Sequence, residues 1–142
     1  MSTTTLRKIL GDRPVHTVSP EATLRAVAGV MEANRVGAVA VVEGRALKGI
    51  VTERDIVFRA VAQGMDMAAT QASAVMTADP VTVGIDDAVS DALAAKLGDA
   101  FRHLPVMEGD QLVGLLSYRD IPAEYVMLFE RFREMSTARA DG

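Results

Sequence analysis

The chain has 142 residues, 49% of them apolar and 24% charged, which excludes the composition of a disordered chain and fits one compact domain or two half-size units sharing a core. It has no cysteine, which excludes disulfides, thiol catalysis and thiolate zinc sites, and its net charge of -4 opposes a broad nucleic-acid or anionic-lipid footprint. Apolar runs such as Ala38–Val42 are too short for a bilayer and Met1–Leu10 lacks the apolar stretch of a secretory signal, so a cytoplasmic protein with no membrane partner is expected.

Taken in chain order, Thr4–Leu10 reads as a helical turn stopped by Gly11 and Val15–Val18 as a brief strand. Ser19 and Pro20 then predict an N-cap and first helical position for a helix whose Leu24, Val27, Ala28 and Met31 share one face. Ala38–Val42 and Leu47–Val51 are runs rich in β-branched residues about a turn at Glu43-Gly44-Arg45-Ala46, which predicts an antiparallel hairpin. A second helix is expected from near Thr52 to Gly64, and a connector with one short helix over Met65–Ala78. The order then recurs: a strand at Val81–Val83, a helix over Asp86–Leu97 stopped by Gly98, a hairpin about Glu108-Gly109-Asp110 and a helix after Ser117. At the end, Tyr125, Leu128, Phe129, Phe132 and Met135 form an apolar stripe at helical spacing, followed by a frayed tail.

The recurrence is a true internal repeat. A shift of 65 residues superposes Thr17-Val18 on Thr82-Val83, Val41 on Val106, Glu43-Gly44 on Glu108-Gly109, Leu47 on Leu112, Gly49 on Gly114 and Arg54-Asp55-Ile56 on Arg119-Asp120-Ile121. Glycines and polar residues fall in register with apolar ones, which shared periodicity alone does not require. The expected fold class is α+β, two β-α-β-β-α units packed with pseudo-twofold symmetry. The expected division is a first unit with the N-terminal turn at 1–66, a connector at 67–79, a second unit at 80–126 and a helix end and tail at 127–142.

Each unit ends its last strand in a Gly-apolar-x-Ser/Thr-x-x-Asp segment, Gly49-Ile50-Val51-Thr52-Glu53-Arg54-Asp55 and Gly114-Leu115-Leu116-Ser117-Tyr118-Arg119-Asp120. Together with Val75-Met76-Thr77 and Arg102-His103-Leu104-Pro105-Val106, these resemble tandem cystathionine β-synthase (CBS) domains paired as a Bateman module, over roughly Leu6–Val126. The resemblance implies a regulatory or sensor module without catalytic activity and without an obligatory cofactor. It binds adenosine-containing ligands, most often AMP, ADP or ATP and in some members NAD or S-adenosylmethionine, in clefts between the units. It implies ribose binding by Asp55 and Asp120 with Thr52 and Ser117 beside them, and phosphate contacts from Arg102, His103, Arg54 and Arg119. The nucleobase of the Asp120 site would lie against Thr17 and Val18, and that of the Asp55 site against Thr82 and Val83. The Asp120 site is the better equipped for phosphate, because Gly37 and Ala38 stand in the first unit where Arg102 and His103 stand in the second.

The heptads also have readings in elementary chemistry. The glycine lets a ligand approach the backbone, and the helix start offers N–H groups to an anion. Thr52 with Asp55, and Ser117 with Asp120, equally make approximate capping boxes, a role compatible with ribose binding. Ser117, His103 and Asp120 superficially supply a nucleophile, base and orienter, but no oxyanion pattern surrounds Ser117 and the first unit has Ala38 in the histidine's place. His16 is most simply a strand residue, and no metal site is expected because no ligand cluster accompanies either histidine. The C-terminal stripe predicts a homodimer, and the output of the module would pass to an effector protein. The alternative is a structural or adaptor dimer that binds no nucleotide.

Overall fold

The computed structural model describes residues 4–95, 103–117, 120, 121, 123, 124, 127, 128 and 131. Arg102, Arg119, the expected helix end at Leu97-Gly98, the stripe residues Tyr125, Phe129, Phe132 and Met135, and the tail lie outside the described residues.

The two units are built alike. In the first, β1 (Thr17–Val18) lies parallel to β2 (Ala38–Glu43), which forms a hairpin with β3 (Ala46–Thr52), with α2 (Leu24–Asn34) between β1 and β2 in the chain. In the second, β5 (Val83–Gly84) lies parallel to β6 (His103–Glu108), which forms a hairpin with β7 (Gln111–Ser117), with α4 (Val89–Ala95) in the equivalent place. The registers correspond: Val18 faces Val41 as Val83 faces Val106, and Ala38 faces Thr52 as His103 faces Ser117. Even the irregularity recurs, between Val41 and Val42 and between Val106 and Met107. Gly44 and Gly109 both have φ of 63°, the left-handed region that each hairpin turn needs and that glycine enters without a Cβ clash.

Local signals were overruled in three places. The first long helix begins at Leu24, not at Pro20: Thr23 is the N-cap and its hydroxyl accepts the Ala26 N–H at 3.1 Å. The reason is long-range, since Ala22 accepts the Ala72 N–H at 2.7 Å and Leu24 donates to Thr70 at 2.9 Å, which pins residues 22–24 to the connector. The helix after Thr52 is a short α3 (Glu53–Asp55) that widens into a π-helix over Ile56–Val61. The strands expected at Val15–Val18 and Val81–Val83 are shorter, Thr17–Val18 and Val83–Gly84, with the His16 carbonyl still accepting the Ala40 N–H at 3.1 Å, while Val15, His16, Pro80 and Val81 border the space between the units.

Chain order and packing diverge at the connections. The N-terminal helix α1 (Leu6–Leu10) packs in the core of the second unit, where Leu6 and Leu10 join Val83, Ile85, Val89, Leu104, Val106 and Leu116. Leu6 donates to Asp87 at 3.0 Å, Arg7 to Ile85 at 2.8 Å, and Val89 to Thr4 at 3.0 Å. Reciprocally, the connector that precedes the second unit packs on the first: Ala72 and Val75 belong to the core of Val18, Leu24, Val27, Val39, Val41 and Val51. Its strand β4 (Thr77–Ala78) extends the first sheet to the order β1-β2-β3-β4. Each unit is thus closed by the segment that leads into the other.

This exchange explains the heptad glycines. A Cβ on Gly49 would come within 2.7 Å of the Met76 sulfur and of the Thr77 carbonyl oxygen, and one on Gly114 within 2.9 Å of Leu10 Cδ1. The close approach that the glycines permit is made by the chain's own connecting segments, where the sequence reading placed a ligand.

Candidate functional site

A cleft of about 1580 Å³ runs between the units. It brings together Thr52, Arg54 and Asp55 from the first heptad and His103, Ser117 and Asp120 from the second unit. Other expected site residues lie elsewhere. Val18 and Val83 are buried in their respective cores. Thr82 and Val83 instead border a separate hollow of about 600 Å³ with Asp79, Asp87 and Asp110. The strand-entry residues that do border the main cleft are Val15 and His16 on one side and Pro80 and Val81 on the other.

The aspartates are held by the helix starts they belong to. Asp55 Oδ2 accepts the Thr52 N–H at 3.0 Å while Thr52 Oγ1 accepts the Asp55 N–H at 3.1 Å, a complete capping box. Asp120 Oδ2 accepts the Ser117 N–H at 2.7 Å. In each case one carboxylate oxygen is fixed by the backbone and the other is turned outward. Their side chains are only 14% and 20% exposed, so any group reaching them enters a partly desolvated site. Glu53 also donates its N–H to Gly37 at 2.8 Å, so the first helix start has its Glu53 and Asp55 amides already engaged.

The outward oxygens have different partners. Asp55 Oδ1 lies 3.6 Å from Arg59 one turn along its own helix, and Arg59 also donates to the Val75 carbonyl at 3.1 Å. Asp120 Oδ1 takes a 2.5 Å bond from Arg13, which lies between α1 and β1. Arg13, which also lines the cleft, is among the residues that sequence reasoning missed. The repeat places Ala78 opposite it, so no self-comparison could have marked it. Arg54 lines the cleft with its guanidinium carbon 5.0 Å from the centre of the Phe58 ring.

Chemically the cleft combines hydrogen-bond acceptors, apolar surface and cationic donors. Carboxylates can accept from a cis-diol, while Val15, Ile50, Ile56, Val81 and Leu115 offer apolar surface for a planar base. Arg13, His16, Arg35, Arg54 and His103 supply donors for an anion. Among the described residues, no group of three or more His, Asp and Glu is placed to hold a metal ion.

Known proteins resemble the chain over most of its length. It is 37% identical over 107 residues to the CBS domain-containing protein YhcV of Bacillus subtilis, an alignment covering 75% of this chain and 76% of that one. It spans 21% and 20% of two longer relatives from Arabidopsis thaliana. A protein with CBS domains from Burkholderia ambifaria superposes with a TM-score of 0.76 at 33% identity, covering 82% of this chain and 90% of that one. A CBS domain protein from Pyrobaculum aerophilum, solved in complex with AMP, superposes with a TM-score of 0.79 at 30% identity and covers 90% of this chain and 99% of its own. The sequence pattern of the CBS domain matches twice, at residues 6–61 and 72–124. The chain therefore belongs to the CBS domain family, as two CBS units in tandem.

Proposed function

We propose that this chain is a regulatory module that binds an adenosine nucleotide of the AMP, ADP or ATP class in the cleft between its units and passes that state to a partner protein. The observation that carries the reading is the placement of Asp55 and Asp120, repeat-equivalent carboxylates at the ends of β3 and β7, on one cleft. The AMP complex of the Pyrobaculum relative supports the ligand class. Thr52 and Ser117 flank the ribose carboxylates, and Arg54 and His103 serve phosphate; NAD and S-adenosylmethionine share the same adenosine handle. The module acts in the cytoplasm and works by binding, without catalysis. Among the described residues, no helix is long and apolar enough to cross a membrane.

Self-association belongs to the same proposal. Val57, Phe58 and Val61 are 50%, 55% and 59% exposed on the helix that follows the first heptad, and Met127 and Leu128 are similarly bare after the second. A homodimer covers them.

A structural adaptor that binds no nucleotide is the second reading, favoured by the closed Thr52–Asp55 capping box. Thermal-shift and calorimetric titration with AMP, ADP, ATP, NAD and S-adenosylmethionine separates the two. Ligand at about 100 times its Kd stabilises the folded state by about 2.7 kcal/mol. An absence of any shift or heat across all five overturns the nucleotide reading.

A further inference from the structure

Resting on the nucleotide reading above, we infer that Arg13 is an exchangeable counter-ion: it neutralises Asp120 while the cleft is empty and moves to the phosphate when a nucleotide takes that carboxylate. Asp120 has one oxygen committed to the Ser117 N–H, and its outward oxygen is bonded to Arg13 Nη1. A ribose diol that uses Asp120 approaches that same outward oxygen, so ribose and guanidinium compete for it. The aspartate is 20% exposed whereas Arg13 is 54% exposed, so the arginine is the partner free to swing. Among the described residues, its second nitrogen is held by the Ile9 carbonyl at 3.4 Å, a long bond. A displaced guanidinium keeps its charge. A ribose held by its 2′ and 3′ hydroxyls carries its 5′-phosphate on the same ring, and that phosphate is the strongest anion available to it.

The first unit has no equivalent device. Ala78 stands in the place of Arg13, and the counter-ion of Asp55 is Arg59, which the Val75 carbonyl also holds. Exchange is therefore confined to the Asp120 side. Arg13 follows α1, whose leucines lie in the second core, so the exchange takes place where the chain leaves the second unit for β1 of the first.

The test is calorimetric titration of AMP and of adenosine into the full chain, its Arg13→Gln variant and its Arg13→Lys variant. In Arg13→Gln adenosine binds more tightly, because its competitor is gone, and the advantage of AMP over adenosine falls by at least about fivefold, a modest value for a lost charge-assisted hydrogen bond. Arg13→Lys keeps the charge and retains more of that advantage. Comparing two ligands on the same protein cancels any general loss of folded material. A smaller fall, or weaker adenosine binding in Arg13→Gln, overturns the exchange and leaves the nucleotide reading standing. Unmodified protein that binds neither ligand overturns both.

Discussion

Leu10 lies over Gly114 as Met76 and Thr77 lie over Gly49, so the glycine of each heptad is matched to the segment that enters the opposite unit. The two contacts differ in what can yield. Gly49→Ala sets a Cβ against the Thr77 backbone oxygen as well as the Met76 sulfur, whereas Gly114→Ala meets the tip of a leucine. Gly49→Ala is expected to cost about 1–3 kcal/mol, the range for overpacking, and Gly114→Ala less. Urea unfolding of both variants checks this order. Equal losses would mean that the connector gives way as easily as a side chain.

Thr52→Ala removes the hydroxyl half of the Thr52–Asp55 capping box. Loss of an N-cap of this kind is expected to destabilise the ligand-free protein by about 1 kcal/mol. Chemical denaturation without nucleotide is the measurement, and an unchanged midpoint would show that the short α3 draws nothing from its cap.

Asp120→Ala separates capping from binding. A ribose that loses a charged acceptor is expected to bind about 10- to 150-fold more weakly. The same change in a residue that only supports the helix start would leave affinity alone. Titration of AMP into Asp120→Ala and Asp55→Ala decides: unchanged affinity in the first sinks the ribose assignment, and equal losses in both sink the preference for the Asp120 side.

Arg7 ties α1 to the second unit through Asp86 at 2.9 Å and through Glu108. Its hydrogen bond holds the Asp86 carboxyl below the usual carboxylate range, with the charge attraction adding to it. A carboxyl whose folded-state value is depressed contributes stability that is fully present above its unfolded value and is lost as pH falls through the folded one. The stability difference between the unmodified protein and Asp86→Asn is therefore expected at neutral pH and to vanish in acid. All three side chains are well exposed, so added salt should shrink it as well. Denaturation midpoints at two pH values and two salt concentrations test both trends.

Val61→Glu places a charge in the bare face formed with Val57 and Phe58. The unmodified chain is expected to sediment as a dimer and this variant as a monomer at the same micromolar concentration. A dimer in both would move the interface elsewhere, and a monomer in both would end the homodimer proposal.

Much of the fold was legible because the repeat doubled each signal. The hairpins about Gly44 and Gly109 and the recurring order of strands and helices follow from positions that agree across the two halves, whereas the shared cleft of Asp55 and Asp120, which the sequence reading placed in separate sites, does not. What escaped was non-local. Ser19 and Pro20 are sound capping residues, yet Thr23 takes the role because Thr70 and Ala72 hold the backbone beside it. Leu6 and Leu10 look like any apolar turn, and nothing in their spacing says that their partners are Val83 and Leu116. The Arg13–Asp120 pair joins residues 107 apart with no echo in the repeat, so only the folded chain reveals it.

The reciprocal closing of the two cores has a consequence for how the chain acquires its shape. A cut after residue 66 would leave the first half without the Ala72 and Val75 that complete it, and the second without Leu6 and Leu10. During synthesis the first half can seal its interior once Val75 has emerged. Leu6, made before any of the sheets, must wait until Leu104 and Leu116 exist. Contacts of such long sequence separation form slowly. The earliest helix on the chain is therefore among the last to dock, and until then the second interior stands open to water.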